Sequence, residues 1–166
     1  MLKRLTTAFG LVLVAACGQD AAVETPAEAA PATAQPTAAP AAAAPAGIQR
    51  KAAPAGATAY IIEPADGATV SSPVRVLFGL RGAGVVPAGI AHDGAGHHHL
   101  LIDAELPSLD LPIPADDNHR HFGLGQTETE IELAPGTHTL QLLLGDELHV
   151  PHDPPITSER ITIEVR

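Results

Sequence analysis

The sequence predicts an all-β fold over residues 58–166, an immunoglobulin-like β-sandwich of about seven strands. Three observations carry that expectation. Large apolar side chains recur at every second position in several short runs. Pro, Gly and Asp clusters separate the runs. No stretch of the segment holds a helical period.

The elements follow in order. Tyr60-Ile61-Ile62 is a short β-rich run closed by the turn signal Pro64-Ala65-Asp66-Gly67. Val74, Val76, Phe78 and Leu80 alternate with Arg75, Leu77 and Gly79. Gly96-His97-His98-His99-Leu100-Leu101-Ile102-Asp103 places His97 and His99 on one strand face and His98, Leu100 and Ile102 on the other. His119-Arg120-His121 repeats that alternation. Thr127, Thr129, Ile131 and Leu133 alternate with Glu128, Glu130 and Glu132. After the Pro135-Gly136 turn, His138, Leu140, Leu142 and Leu144 share one face. Ile161, Ile163 and Val165 close the set. The implied core is small and aliphatic.

The residues before 58 read differently. Lys3 and Arg4 precede an apolar run, Leu5 to Ala16, too short for a membrane span. The run ends in Val14-Ala15-Ala16-Cys17, which resembles the lipobox of bacterial lipoproteins. The expectation is a signal peptide over 1–16, cleaved before a lipidated Cys17, with two or more acyl chains giving stable membrane anchoring. Gly18 follows the cysteine, which resembles the default sorting of a Gram-negative cell to the periplasmic face of the outer membrane. Residues 18–57 contain 24 Ala and Pro among 40 residues, so 17–57 reads as the lipidated cysteine followed by a disordered spacer. Fully extended, it would reach roughly 120 Å.

Charge and composition remove several function classes. Residues 58–166 carry 5 arginines, no lysine and 16 acidic residues. That balance argues against nucleic acid and against docking on anionic lipid surfaces. The chain has one cysteine, so no intramolecular disulfide forms and a lipidated Cys17 leaves no catalytic thiol. With one Tyr, three Phe and no Trp, a carbohydrate-stacking platform is disfavoured. Ser71, Ser72 and Ser108 lack a nucleophile-elbow context, and no glycine-rich phosphate loop precedes a helix. Asp116-Asp117-Asn118 offers oxygens to a hard cation but reads first as a solvated turn.

The chemistry lies in the histidines. All nine fall in the folded segment. Three groups stand out: His97 with His99, His119 with His121, and His149 with His152. Imidazoles two apart on a strand stand about 6–7 Å apart, which suits two ligands on one metal. Neutral imidazole is a common ligand for Zn²⁺ and Cu²⁺. The competing reading is a structural network, in which His98 and His138 tie loops to the core edge.

At these residues the chain resembles a known family. Gly-His-His-His-Leu-Leu-Ile-Asp at 96–103, Pro-Ile-Pro-Ala-Asp at 112–116, His-Arg-His-Phe-Gly at 119–123 and Gly-Gln-Thr-Glu-Thr at 125–129 occur in order. Pro-Gly-Thr-His-Thr-Leu-Gln-Leu at 135–142 and Pro-His-Asp-Pro-Pro at 151–155 follow. Together they resemble the bacterial domain of unknown function 4399, over about residues 75–165. The resemblance implies a secreted or lipoprotein setting and characteristic histidines, and no established activity. Members often carry a methionine where this chain has Arg81-Gly82-Ala83-Gly84-Val85. Its lack here puts a methionine-assisted Cu(I) site in doubt and leaves copper(II) or zinc.

The expectation is therefore a non-enzymatic lipoprotein of the cell envelope. Its domain binds a transition metal through His97, His99, His119, His121, His149 and His152, for buffering, delivery or sensing. The alternative is a structural or interaction module with a histidine network and no metal. A hydrolytic metal site is the minor third reading. The expected partners are the membrane, through the lipid anchor, and a metal ion; the sequence points to no particular protein.

Overall fold

The computed structural model describes residues 48–166. The expected signal peptide, Cys17 and the spacer up to residue 47 lie outside the described residues. Among the described residues there is no helix, and none is therefore long and apolar enough to cross a membrane.

Nine strands form: β1 (Thr58–Glu63), β2 (Thr69–Val70), β3 (Val74–Arg81), β4 (Gly84–Val85), β5 (Ala95–Ile102), β6 (His119–His121), β7 (Glu128–Ile131), β8 (Gly136–Gly145) and β9 (Ile161–Val165). The two beyond the expected seven, β2 and β4, are two residues long, too short to show an alternation. One sheet has the order β1-β3-β7. The other has the order β2-β9-β8-β5-β4, with β6 also paired to β5. β4 runs parallel to the start of β5, and β6 antiparallel to its end, so the two share one edge of β5.

The sheets meet through one aliphatic core. Val74, Val76 and Phe78 come from the smaller sheet; Leu100, Leu140, Leu142, Leu144 and Ile163 come from the larger. The positions follow from the pleat, which sends alternate side chains to opposite faces. The expected alternations of β3, β8 and β9 hold in this core.

β5 departs from simple alternation, because all eight of its residues are buried. Its second face is covered by the loop after it. Ile113, in that proline-bearing loop, packs with Leu101 and Leu143, and its amide donates to the His149 carbonyl at 2.8 Å. The length of the 103–118 connection thus has a structural use: it roofs the outer face of the central strands. His97 and His99 share that outer face with Leu101, while His98 points into the main core.

The boundary expected at Thr58 falls inside the packed unit. Ala52 pairs with Asp153, and Ala53 and Ala57 pack against the main core. A run of small residues carries no periodic signal, so this contact is invisible in composition.

Candidate metal centre

His97 and His99 sit on the outer face of β5, opposite Gly145 and Leu143 of β8. The register of β6 sets His121 directly beside His99. One ring nitrogen from each of His97, His99 and His121 lies within 4.8 Å of the others. The Nε2 atoms of His97 and His99 approach to 3.1 Å. Two nitrogens on one tetrahedral Zn²⁺, each bonded at 2.0–2.1 Å, stand about 3.3 Å apart. The pair already has nearly that spacing, and a His121 ring nitrogen lies within 4.8 Å of it.

A fourth ring closes the group. The His149 centroid lies 4.9 Å from that of His97, 4.8 Å from His121 and 5.9 Å from His99. His149 has φ of 67°, a left-handed conformation that glycine normally fills. The turn that imposes it is tightly bonded. Asp146 Oδ1 accepts from the amides of Leu148 and Val150, both at 2.9 Å. The His149 amide donates to the Asp146 carbonyl, and the Asp146 amide to the Val150 carbonyl. The backbone strain at this non-glycine residue has a visible return, since the turn aims an imidazole at three others.

Two glycines make room. A Cβ on Gly145 would stand 3.1 Å from His99 Nε2. One on Gly123 would overlap the His121 ring, 2.6 Å from its Nε2. The group opens outward at His121, which is exposed while His97 and His99 are fully buried. A cleft of about 640 Å³ borders His121, together with His119, Asp116 and Glu130.

The electrostatics suit neutral ligands. Burial, with the charges of His149 and His121 behind it, pushes the His97 imidazole down to about 4. Burial and the neighbouring rings push His99 down to about 2. His121 is lowered by burial and then by His149. Protonating two facing Nε2 atoms would set donor against donor, so the cluster holds at most one proton where a cation would sit. Nδ1 of His97 and of His99 has no hydrogen-bond partner among the described residues.

Of the six histidines singled out in the sequence, four converge. His119 lies outside the group of three; its Nδ1 is bonded to Asp116 Oδ1 at 2.8 Å, and its buried Nε2 has no partner among the described residues. The same Asp116 oxygen accepts from the Asn118 and His119 amides, so the acidic triplet is a turn cap. His152 is fully buried but makes no ring contact with the four. Val150 and Pro151 separate it from His149, and only His149 joins the ring cluster.

Two other histidines behave differently from each other. His138 ties loops together, with Nδ1 on Asp103 Oδ2 at 2.6 Å and Nε2 donating to the Ala134 carbonyl at 2.9 Å. His98 instead enters the main core against Phe78, with both ring nitrogens unpartnered, and burial lowers it to about 4. Sequence reasoning missed the supports: Asp146, Gly123, Gly145 and the left-handed turn at His149.

A family model described as Domain of unknown function (DUF4399) matches residues 76–166, or 91 of the chain's 166 residues, and the chain belongs to that family. The matched span contains the strands and turn that carry all four converging histidines. No curated protein and no solved structure matches the chain.

Proposed function

We propose that this family member is a transition-metal-binding protein whose domain holds one Cu²⁺ or Zn²⁺ on His97, His99 and His121, with His149 as fourth ligand. The single observation that carries the reading is the convergence of three ring nitrogens within 4.8 Å, from two paired strands, in a site that keeps its imidazoles neutral. All four donors are imidazole nitrogens, which favours borderline ions over Ca²⁺ or Mg²⁺. Two facing sheets over an aliphatic core support an immunoglobulin-like sandwich as its frame.

The role we assign is non-enzymatic: buffering, delivery or sensing of the ion at a bacterial envelope. A fourth imidazole leaves no coordination position reserved for a substrate water. The lipobox-like Val14-Ala15-Ala16-Cys17 supports anchoring through a lipidated Cys17, and Gly18 supports residence on the outer membrane. Mass spectrometry of membrane-extracted protein tests the anchor: a diacylglyceryl-modified N-terminal cysteine supports it, and a free thiol there overturns it.

The second reading is a structural histidine network. The hydrogen bond between His97 and His99 Nε2 atoms favours it, because it joins the buried pair without an ion. Melting curves separate the two. A site present only in the folded state raises the melting temperature as metal is added. The metal reading predicts such a rise with Cu²⁺ or Zn²⁺; the network reading predicts none.

A further inference from the structure

The segment just before β1 reaches the turn that carries His149. Ala52 forms a parallel bridge with Asp153. The Asp153 amide donates to the Lys51 carbonyl at 2.8 Å, and the Ala53 amide to the Asp153 carbonyl at 2.9 Å. From that rung two cationic side chains extend along 147–152. Arg50 Nε donates to the Pro151 carbonyl at 3.1 Å, and its second guanidinium nitrogen to the His152 carbonyl. Lys51 Nζ meets Glu147 Oε2 at 2.6 Å, with both side chains largely shielded.

Glu147 is the second residue of the Asp146–Val150 turn. Its carbonyl also accepts from the Gly89 amide at 3.2 Å. The strained turn is therefore held on its outer side at Glu147 and on its downstream leg at 151–153. Its inner cap, Asp146, fixes the backbone shape of the turn. The outer contacts, with the Ile113 amide on the His149 carbonyl at 2.8 Å, tie that shape to the rest of the domain.

We propose that Arg50 and Lys51 are positioning residues of the metal centre, holding the Asp146–Val150 turn so that His149 reaches the ion. The proposal rests on the metal reading above and deepens it. It joins the end of the Ala/Pro-rich segment to the affinity of the site, where composition alone makes that segment a passive spacer. Lys51 acts by its charge on Glu147; Arg50 acts through backbone carbonyls that accept from a guanidinium fork. Neither touches the ligand nitrogens. Removing them leaves His97, His99 and His121 in place and loosens only the fourth ligand.

The test uses the full mature chain with Cu²⁺ as the probe. Lys51→Ala, Lys51→Arg and the double change Arg50→Ala/Lys51→Ala are compared with wild type for affinity, metal-free melting temperature and number of coordinated nitrogens by electron paramagnetic resonance. The single Ala variant should weaken Cu²⁺ binding about threefold, and the double variant about tenfold. Both should lose one nitrogen from the copper signature, and Lys51→Arg should restore it. A lower melting temperature with an unchanged copper spectrum and affinity would overturn the proposal while leaving the metal reading intact. Wild-type protein that binds no copper would overturn both.

Discussion

His97 and His99 face each other Nε2 to Nε2 at 3.1 Å on the outer face of β5. A hydrogen bond there requires one ring to donate and the other to accept, so the two imidazoles hold different tautomers. A cation in the same place would need no donor, and on the proposed reading it would be held by His121 and His149 as well. The predictions below separate what the ion would gain from what the fold already provides.

His121 gives the cleanest ligand test, because it is exposed while its two partners are buried. His121→Ala should weaken metal binding about tenfold or more and leave the metal-free melting temperature nearly unchanged. Gly123→Ala should act in the same direction, since its Cβ would occupy space held by the His121 ring. Calorimetry with Zn²⁺ checks both; an unchanged affinity in His121→Ala removes it from the site.

His149→Gly should move stability and function in opposite directions. Glycine relieves the left-handed backbone at φ of 67°, which stabilises the metal-free fold by up to about 1 kcal/mol. The same change deletes a ring from the cluster and should weaken metal binding. A destabilised metal-free protein would mean that the ring serves packing instead.

Acid should destabilise the metal-free domain in a defined window. Burial lowers His97 from 6.5 to about 4 and His99 further, to about 2. Between those values the unfolded chain takes up protons that the folded chain refuses. The stability is whole above pH 6.5 and is lost as pH falls through the folded values. Metal should be retained well below pH 6.5 and released as the cluster is forced to protonate. Melting curves at pH 7.5, 5.5 and 4.5 check the first statement; a flat profile would contradict it.

His138 should show the opposite sign and no link to metal. Its pairing with Asp103 raises its pKa above 6.5. Its contribution is whole below pH 6.5 and is lost as pH rises through the raised value. His138→Ala should cost about 1 kcal/mol of stability through two lost hydrogen bonds and leave metal affinity as it was. A change in affinity would place His138 in the site's support.

The all-β class was legible because β3 and β9, and Leu140, Leu142 and Leu144 of β8, send alternate side chains to the core, and period two reads that directly. The histidines of β5 were legible as a pair for the same reason. The partner of that pair was half legible: His121 follows from alternation in β6, but its place beside His99 depends on register, which one strand's sequence does not encode. His119 alternates with His121 in the same way, yet the register sets it beside Leu101 rather than His99. His152 is buried away from the four rings, and it is the turn capped by Asp146 that carries His149 to them, which the spacing of the two histidines does not encode. Arg50 and Lys51 lie in a segment whose composition speaks only of a spacer, while their contacts span about a hundred residues.

The central claim is that the four histidines hold an ion. The most direct measurement is calorimetric titration of untagged mature protein with Zn²⁺ and with Cu²⁺ at pH 7.5, after chelation and dialysis. The account predicts saturable binding at a stoichiometry of about one ion per chain, with a dissociation constant far below about 100 µM. No saturable binding of either ion below about 100 µM would contradict it, since scattered surface histidines bind no better than that.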